Sequence, residues 1–438
     1  MSHPLQRVDF HVTLRAAAAA LAMVLGLLVA ATPAALAQTF KVLHNFTNGD
    51  DGSQPEFGLV MDRAGNLYGT TPYGGDIQDC SGLQNGGGGP PPGCGVVFKV
   101  KKAGSGWIVE SLFLFGSKQE TISPYAGTPA IGPNGTVYGM TYLGGPGYDG
   151  YIFNVAPPPS APVSSNAPWS YDLLYQFTGN PDSNNPSRLS PLIFDAAGNI
   201  YGVAAYGGLF NYGTVFELTP SAGGWTEHIL YTFTNGTDGS HPSGIIFDGD
   251  HNIYGTALYG GNQDCDFNDG CGTIFKLTPS GSGWTETTIH IFQQGKDGGW
   301  PGPPIMDKLG NLYGITTRFG PADGGTVWEL SPSGAGWNFT VLQPFINDTV
   351  STHGPFPLAQ DAAGSLYGVS SWGGNQNYGF AFKLTPSGAG WTYTELHRFG
   401  SDACTPAGGP VLDAAGNIYG MAEYCGPYDL GAIWEITQ

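Results

Sequence analysis

Positive charge is what this sequence has least of. Lys and Arg number 15 against 34 Asp and Glu, a net charge of −19 over 438 residues. Holding a phosphate backbone takes clustered Lys and Arg, which excludes nucleic acid as a partner. Catalytic signatures are missing too: no Gly-x-Ser-x-Gly elbow, no His-Glu-x-x-His pair and no phosphate-binding loop. Long apolar runs are absent after residue 37. The one before it, Ala16 to Ala31, is about 16 residues, short of the ~20 that cross a bilayer. Arg7 and Arg15 precede it and Ala35-Leu36-Ala37 follows. Residues 1–37 therefore read as a secretory signal peptide cleaved before Gln38, with no stable membrane insertion after its removal. The remainder, 38–438, carries 13 Lys and Arg against 33 Asp and Glu, a net −20. It is expected to be soluble, monomeric, and secreted, periplasmic or at the cell surface.

Cysteine is scarce. All six lie after residue 37, which suits an oxidising compartment. Three local pairs are expected among the 15 that six cysteines allow: Cys80–Cys94, Cys265–Cys271 and Cys404–Cys425. The alternative, a zinc site, lacks a Cys-x-x-Cys pair matched by a second such pair.

Glycine and aromatics are plentiful, with 71 Gly and 13% Phe, Trp and Tyr. Both recur with a period. Asp413 to Gly420 reads DAAGNIYG, and related stretches start at Asp62, Asp195, Asp248, Asp307 and Asp361. A weaker copy, Gly132 to Gly139, lacks the Asp. The seven copies place tyrosines at 68, 138, 201, 254, 313, 367 and 419. Such a period signals an array or a closed ring. Each unit has four β-type runs. In the third these are Pro191 to Phe194, Asn199 to Tyr206, Gly213 to Thr219 and Gly224 to Phe233. Turn compositions, Asp-x-x-Gly and Thr-Pro-Ser-x-Gly-Gly, separate runs one from two and three from four.

The fourth run begins at Trp107, Trp169, Trp225, Trp284, Trp337 and Trp391, one copy short. The missing copy stands at the other end: Thr39 to Phe46, TFKVLHNF, matches TYTELHRF at Thr392 to Phe399. A ring has to close, and an N-terminal strand that completes the C-terminal blade closes it. An open solenoid would want polar caps instead. The expected fold is all-β: a seven-bladed β-propeller of four-stranded blades, spanning 38–438 as one domain and closed by strand 39–46.

The units combine D-x-x-G-N-[LI]-Y-G, then GG, then G-T-[VI]-[FW]-[KE]-L-T-P, then GW. In this they resemble the GloVer tandem repeat of bacterial extracellular proteins, over essentially residues 39–438. The resemblance implies a propeller-like blade and a secreted or periplasmic product. Proteins of that type often carry a C-terminal anchoring segment; here Gln438 directly follows the last strand. The resemblance supplies no reaction.

In a propeller the connections from fourth to first strand and from second to third share one face. Here these are the variable ones, and binding concentrates in variable loops on a rigid scaffold. Aromatics recur there at the end of the second run: Tyr73, Tyr206, Tyr259, Trp372 and Tyr424, with Phe319 one residue late. They are candidate stacking platforms for sugars; packing between blades is the plainer role. Tyr148, Phe210, Tyr212, Phe267, Trp300, Tyr378 and Tyr428 are less repetitive and better binding candidates. Asp50, Asp51, Asp238, Asp264, Asp266, Asp269 and Asp297 are candidates for Ca²⁺, but none has EF-hand spacing and a solvated acidic rim is the plainer reading. No other cofactor is expected. His241 and His353 are the two loop histidines worth testing. His44, His290 and His397 share one repeat position with Phe113, Tyr175, Tyr231 and Gln343 and read as wide side chains on an outer strand. Val60, Ile193, Ile246, Ile305 and Val411 give the channel an apolar wall.

The leading expectation is a binding module for an extracellular glycan or surface protein. The alternatives are a polysaccharide lyase or glycoside hydrolase using carboxylates on the same face, which leave no local motif, and a structural envelope protein without a small ligand.

Overall fold

The computed structural model describes residues 38–76, 93–116, 127–145, 147–158, 168–263, 265, 269–281, 283–334, 336–346, 356–388 and 390–438. The expected signal peptide, Cys80, Phe267, His353, Asp264 and Asp266 lie outside them. Phe40–Thr437 forms one compact unit, a ring of seven antiparallel sheets that makes a seven-bladed β-propeller. The ring closes as expected. Strand Thr39–Asn45 pairs with Ala432–Thr437, which continues to Ile418–Tyr424 and Cys404–Leu412. Phe46 is fully buried where this last blade meets the first, among Leu67, Phe98 and Met421.

The repeated motif is a packing device. In every blade the Gly of Tyr-Gly sits opposite the aromatic of the third strand: Gly202 pairs with Phe216, Gly314 with Trp328 and Gly420 with Trp434. A Cβ on Gly202 would lie 2.5 Å from Phe216 Cζ. Glycine is required because the far end of the ring fills the space a side chain would take, and these rings are wholly buried. The tyrosine serves the neighbouring turn. The single Tyr201 O–H proton is shared between Asp195 Oδ2 at 3.2 Å and Glu217 Oε1 at 2.8 Å, and that of Tyr419 between Asp413 at 3.1 Å and Glu435 at 2.8 Å. Where the third strand carries Lys instead, the ammonium stands over the tyrosine ring, as Lys383 does at 4.9 Å from the Tyr367 centroid. This accounts for the alternation of Lys and Glu at one position. The turn aspartates bond their own turns: Asp195 Oδ1 accepts from the backbone N–H groups of Ala197 and Asn199, both at 2.9 Å. The Trp that opens the fourth strand packs on the tyrosine of the preceding blade, Trp107 on Tyr419 at 5.6 Å and Trp337 on Tyr254 at 5.8 Å.

The first strands run longer than the sequence suggests. In the third blade Ser183–Pro186 joins Ile193–Phe194 along the second strand, and in the fourth Ser240–Phe247 is continuous. Segments that read as loops, such as 181–186 and 235–242, therefore end in sheet. The channel face is apolar. A cavity of about 290 Å³ there is lined by Val60, Ile193, Ile246, Ile305, Leu358 and Val411, with prolines between them.

Candidate functional site

One Xaa-Pro step recurs where the fourth-to-first connection enters the first strand. Gln54, Asn185, His241, Trp300 and Thr405 each precede proline, with φ of 51°, 50°, 53°, 59° and 55°. A residue before proline is ordinarily extended, and a left-handed non-glycine costs about 1–3 kcal/mol. What holds it is a backbone bond to the preceding blade. The five N–H groups donate to the carbonyls of Leu430, Asp149, Tyr212, Cys271 and Tyr378 at 2.8–2.9 Å. Each acceptor belongs to the second-to-third connection of the blade before. The two variable connections thus share a face, as expected, and each of these five blades aims one side chain of free choice at it. The Cys404–Cys425 disulfide ties the same two connections within the last blade, and Cys265–Cys271 closes one within the fourth. Cys94 is disulfide-bonded as well.

On the side formed by blades two to five, these side chains meet the aromatics that end the second strands. Tyr206 and His241 pack edge to face at 4.6 Å, His241 and Tyr259 at 5.2 Å, Tyr259 and Trp300 at 5.7 Å, and Trp300 and Phe319 at 5.5 Å. Two arginines pack on aromatic rings nearby. The Arg318 guanidinium lies 4.9 Å from the Trp300 ring. Arg188 lies 4.6 Å from Tyr142 and 4.9 Å from Phe57. A cavity of about 330 Å³ opens between Phe57, Tyr142, Arg188, Tyr206, His241 and Tyr259.

Burial pushes the His241 imidazole below its usual range, against the pull of Asp269, so it is neutral at pH 7. Its Nδ1 is buried without a hydrogen-bond partner. Behind Arg188, at 3.8 Å, stands the Glu56 carboxylate. Burial pushes Glu56 up to about 7; Glu423 adds to the rise and Arg188 opposes it. Burial also raises Glu423. The arrangement offers flat apolar faces, a cation, a neutral imidazole and a carboxyl that titrates near neutrality.

Of the expected binding residues, Tyr206, Tyr259 and Trp300 are brought together in this row, and His241 joins them. Tyr73 is buried, bridging Ser53. Tyr378 is half-buried against the core of the last two blades. Tyr148, Phe210, Tyr212, Trp372 and Tyr428 are exposed on their own loops, whereas Tyr424 ends the strand Ile418–Tyr424 and lies beside Glu423 and Glu56. Arg188, Glu56, Glu423, Phe57 and Tyr142 were not singled out from sequence. Their one signal is that they break the repeat, as Arg188 does two residues after the shared proline.

The acidic loop residues largely hold their own loops. Asp51 accepts from the Thr47 backbone N–H at 3.0 Å and from His44 Nε2 at 2.9 Å. Asp238 accepts from Thr234 N–H at 2.7 Å and Tyr231 Oη at 3.1 Å, and Asp297 from His290 Nε2 at 2.9 Å. Asp50 is exposed, and Asp269 faces His241. Among the described residues no group of three His, Cys, Asp or Glu is placed to hold a metal ion. The ring of His290 stacks on Phe339 and that of His397 on Phe40, so this repeat position does carry wide outer-strand side chains.

A family model, the Gloeobacter/Verrucomicrobia repeat, matches residues 81–270 and 190–434. The chain belongs to this family. Among curated proteins none matches it in sequence. The extracellular domain of the one-component system BT4673 from B. thetaiotaomicron is similar in structure, with a TM-score of 0.50 and 11% identity over 90% of this chain. A second structure, titled as that of the hybrid two-component system BT4673, gives 0.51 at the same identity and coverage. The chain spans 39% of the length of these domains. The polysaccharide lyase Uly1 gives 0.48 at 11% identity, over 93% of this chain and 94% of its own. The BT4673 likenesses support the propeller fold of this Gloeobacter/Verrucomicrobia repeat protein. Among its described residues no helix is long and apolar enough to cross a membrane. Its disulfides are consistent with an extracellular or periplasmic place.

Proposed function

We propose that this repeat protein is secreted and binds an extracellular glycan through the cavity beside Arg188. The observation that carries the reading is the row Tyr206–His241–Tyr259–Trp300, joined on one face to the Tyr142–Arg188 stack. Sugars present apolar C–H faces beside hydroxyls, and Tyr and Trp match both with a flat ring and a polar tip. A cavity of about 330 Å³ is within the range of small-ligand sites and suits a single saccharide unit. The test is retention of the chain on a panel of immobilised polysaccharides. Tyr206→Ala and Tyr259→Ala should abolish retention, whereas Trp372→Ala, on another blade, should leave it unchanged. Retention that depends on Trp372 and not on Tyr206 would move the site.

One observation favours a second reading, glycan cleavage. Glu56, with its carboxyl near pH 7, lies close enough to Glu423 to feel its charge, and burial raises both; neighbouring carboxyls raised toward neutrality suit general acid and base work. The same panel decides between them: reducing ends or unsaturated products, lost in Glu423→Gln, would make the protein an enzyme.

A further inference from the structure

The fourth-to-first connections repeat one tie. A ring near the end of the outer strand bonds to an Asp seven residues on: His44 to Asp51 at 2.9 Å, Tyr175 to Asp182 at 3.3 Å, Tyr231 to Asp238 at 3.1 Å and His290 to Asp297 at 2.9 Å. Each of these carboxylates also accepts from the backbone N–H that opens its loop, at Thr47, Thr178, Thr234 and Gln293. The connection into the last blade lacks the tie. It is two residues shorter, so Asp402 follows His397 by five residues. His397 Nε2 is buried with no hydrogen-bond partner, and the Gly400 N–H turns to the Ala403 carbonyl at 3.2 Å instead.

The missing length leaves a cleft. In two of the longer connections the residue before the Asp reaches the outer strand of the next blade. There the Asp50 carbonyl accepts from Ser111 Oγ, and the Thr237 carbonyl from Thr288 Oγ1 at 3.1 Å. The equivalent position on the ring-closing strand, four residues before the buried Phe, is Val42, which has no hydroxyl to give. Between this strand and the short connection opens a cleft of about 500 Å³. Phe40, Val42 and Pro427 make its apolar walls, and Asn45, Ser401 and Asp402 its polar ones. Asn45 Oδ1 is buried without a partner. Asp402 uses Oδ1 on the Ala403 N–H at 3.1 Å, and among the described residues no salt bridge reaches it. The turn at Gly426 gathers these groups: a Cβ there would lie 2.8 Å from Asn45 Oδ1 and 3.4 Å from the Asp402 carbonyl oxygen. Among the described residues no Lys, Arg or His lines the cleft.

We propose that this seam cleft receives a lysine or arginine side chain from a basic protein partner, its stem against Phe40, Val42 and Pro427 and its charge between Asn45 Oδ1 and the Asp402 carboxylate. An ammonium carries three donors and a guanidinium five, and neither has an acceptor. That complements a pocket whose unused capacity is to accept. The methylene stem of such a side chain covers apolar surface while its head stays polar. A chain of net charge −19 draws a basic partner toward it. The cleft lies on other blades than the aromatic row, and the proposal does not depend on glycan binding.

The experiment is calorimetric titration of the whole chain with three blocked pentapeptides: Gly-Gly-Arg-Gly-Gly, its lysine counterpart and its citrulline counterpart, which is neutral and nearly isosteric with the first. The cationic peptides should bind roughly tenfold to a hundredfold tighter than the neutral one, the range of one hydrogen bond to a charged group. Added salt should narrow the gap. Asp402→Asn should lose the preference. Asp250→Asn makes the same change in net charge on an exposed turn of the fourth blade and should keep it. Inserting two glycines after Ser401 returns the Asp to the seventh place after His397. The tie should then form, the cleft fill and peptide binding vanish, with the melting transition retained. A cationic peptide that binds no better than the citrulline form, or a preference that survives Asp402→Asn, overturns the proposal. Tighter binding of a glucosamine oligomer than of either cationic peptide, lost in Asp402→Asn, overturns it as well and makes the cleft a sugar site.

Discussion

Replacing Glu56 by Gln should stabilise the protein at alkaline pH and leave it unchanged in acid. The carboxyl rises from 4.5 to about 7 in the fold, with burial the largest cause, Glu423 adding and Arg188 opposing. A carboxyl raised in the folded state binds its proton more tightly there than in the unfolded chain. Its contribution to stability is therefore full below about pH 4.5 and is lost as pH rises through about 7. At about 1.4 kcal/mol per pH unit the ceiling is roughly 3 kcal/mol. The side chain retains 23% of its exposure, so solvent trims this to ~1–3 kcal/mol. Gln does not titrate and still reaches Arg188. Urea unfolding at pH 5 and pH 8 should show wild type losing stability between the two and Glu56→Gln losing less. Buried ion pairs often return less than their desolvation costs, and this variant tests that balance directly. A variant less stable than wild type at pH 8 would refute the reasoning, because the Arg188 pairing would then outweigh burial and the Glu423 repulsion together.

Gly202→Ala should cost ~1–3 kcal/mol by overpacking, since the new Cβ meets Phe216 Cζ at 2.5 Å; chemical denaturation reads it. Deleting Thr39–Phe46 removes the outer strand of the last blade and the buried Phe46, and should abolish a cooperative melting transition. Replacing both Cys404 and Cys425 by Ser frees a crosslink across 21 residues and should cost about 3 kcal/mol in the chain-entropy view, read by urea unfolding without reductant. Asp413→Asn should destabilise by roughly 1 kcal/mol at pH 7. Burial raises this carboxyl, but bonds from Asn417, Tyr419 and Ala415 outweigh it and hold it below the usual value. The penalty should therefore shrink as pH falls through that lowered value.

The ring was legible because its parts are written many times. Seven Tyr-Gly steps and six fourth strands, with a seventh at the N-terminus, leave a closed propeller as the economical arrangement. Repetition also exposed the geometry of Asp-x-x-Gly turns, which need no tertiary information. The reach of the first strand was less legible. Ser183–Pro186 and Ser240–Phe247 begin in stretches of Asn, Asp, Gly and Pro that read as turn. They extend because the residue before proline takes a left-handed conformation held by the neighbouring blade, as His241 is by the Tyr212 carbonyl at 2.8 Å. That hold depends on the ring already being closed, which no local pattern can express.

The site was half legible for a related reason. Tyr206 and Tyr259 recur, so repetition pointed to them but made blade packing the plainer cause. Tyr73, at the same repeat position, does pack and is buried. What separates the two outcomes is the company each keeps. Tyr206 lies against His241, a residue whose repeat position is filled elsewhere by Gln54, Asn185, Trp300 and Thr405. The scaffold fixes where that side chain points and leaves its identity open. In a repeat ring, then, function is to be sought where a constant backbone carries an inconstant side chain. His241 meets that test: its left-handed backbone recurs at Gln54, Asn185, Trp300 and Thr405, and its imidazole does not.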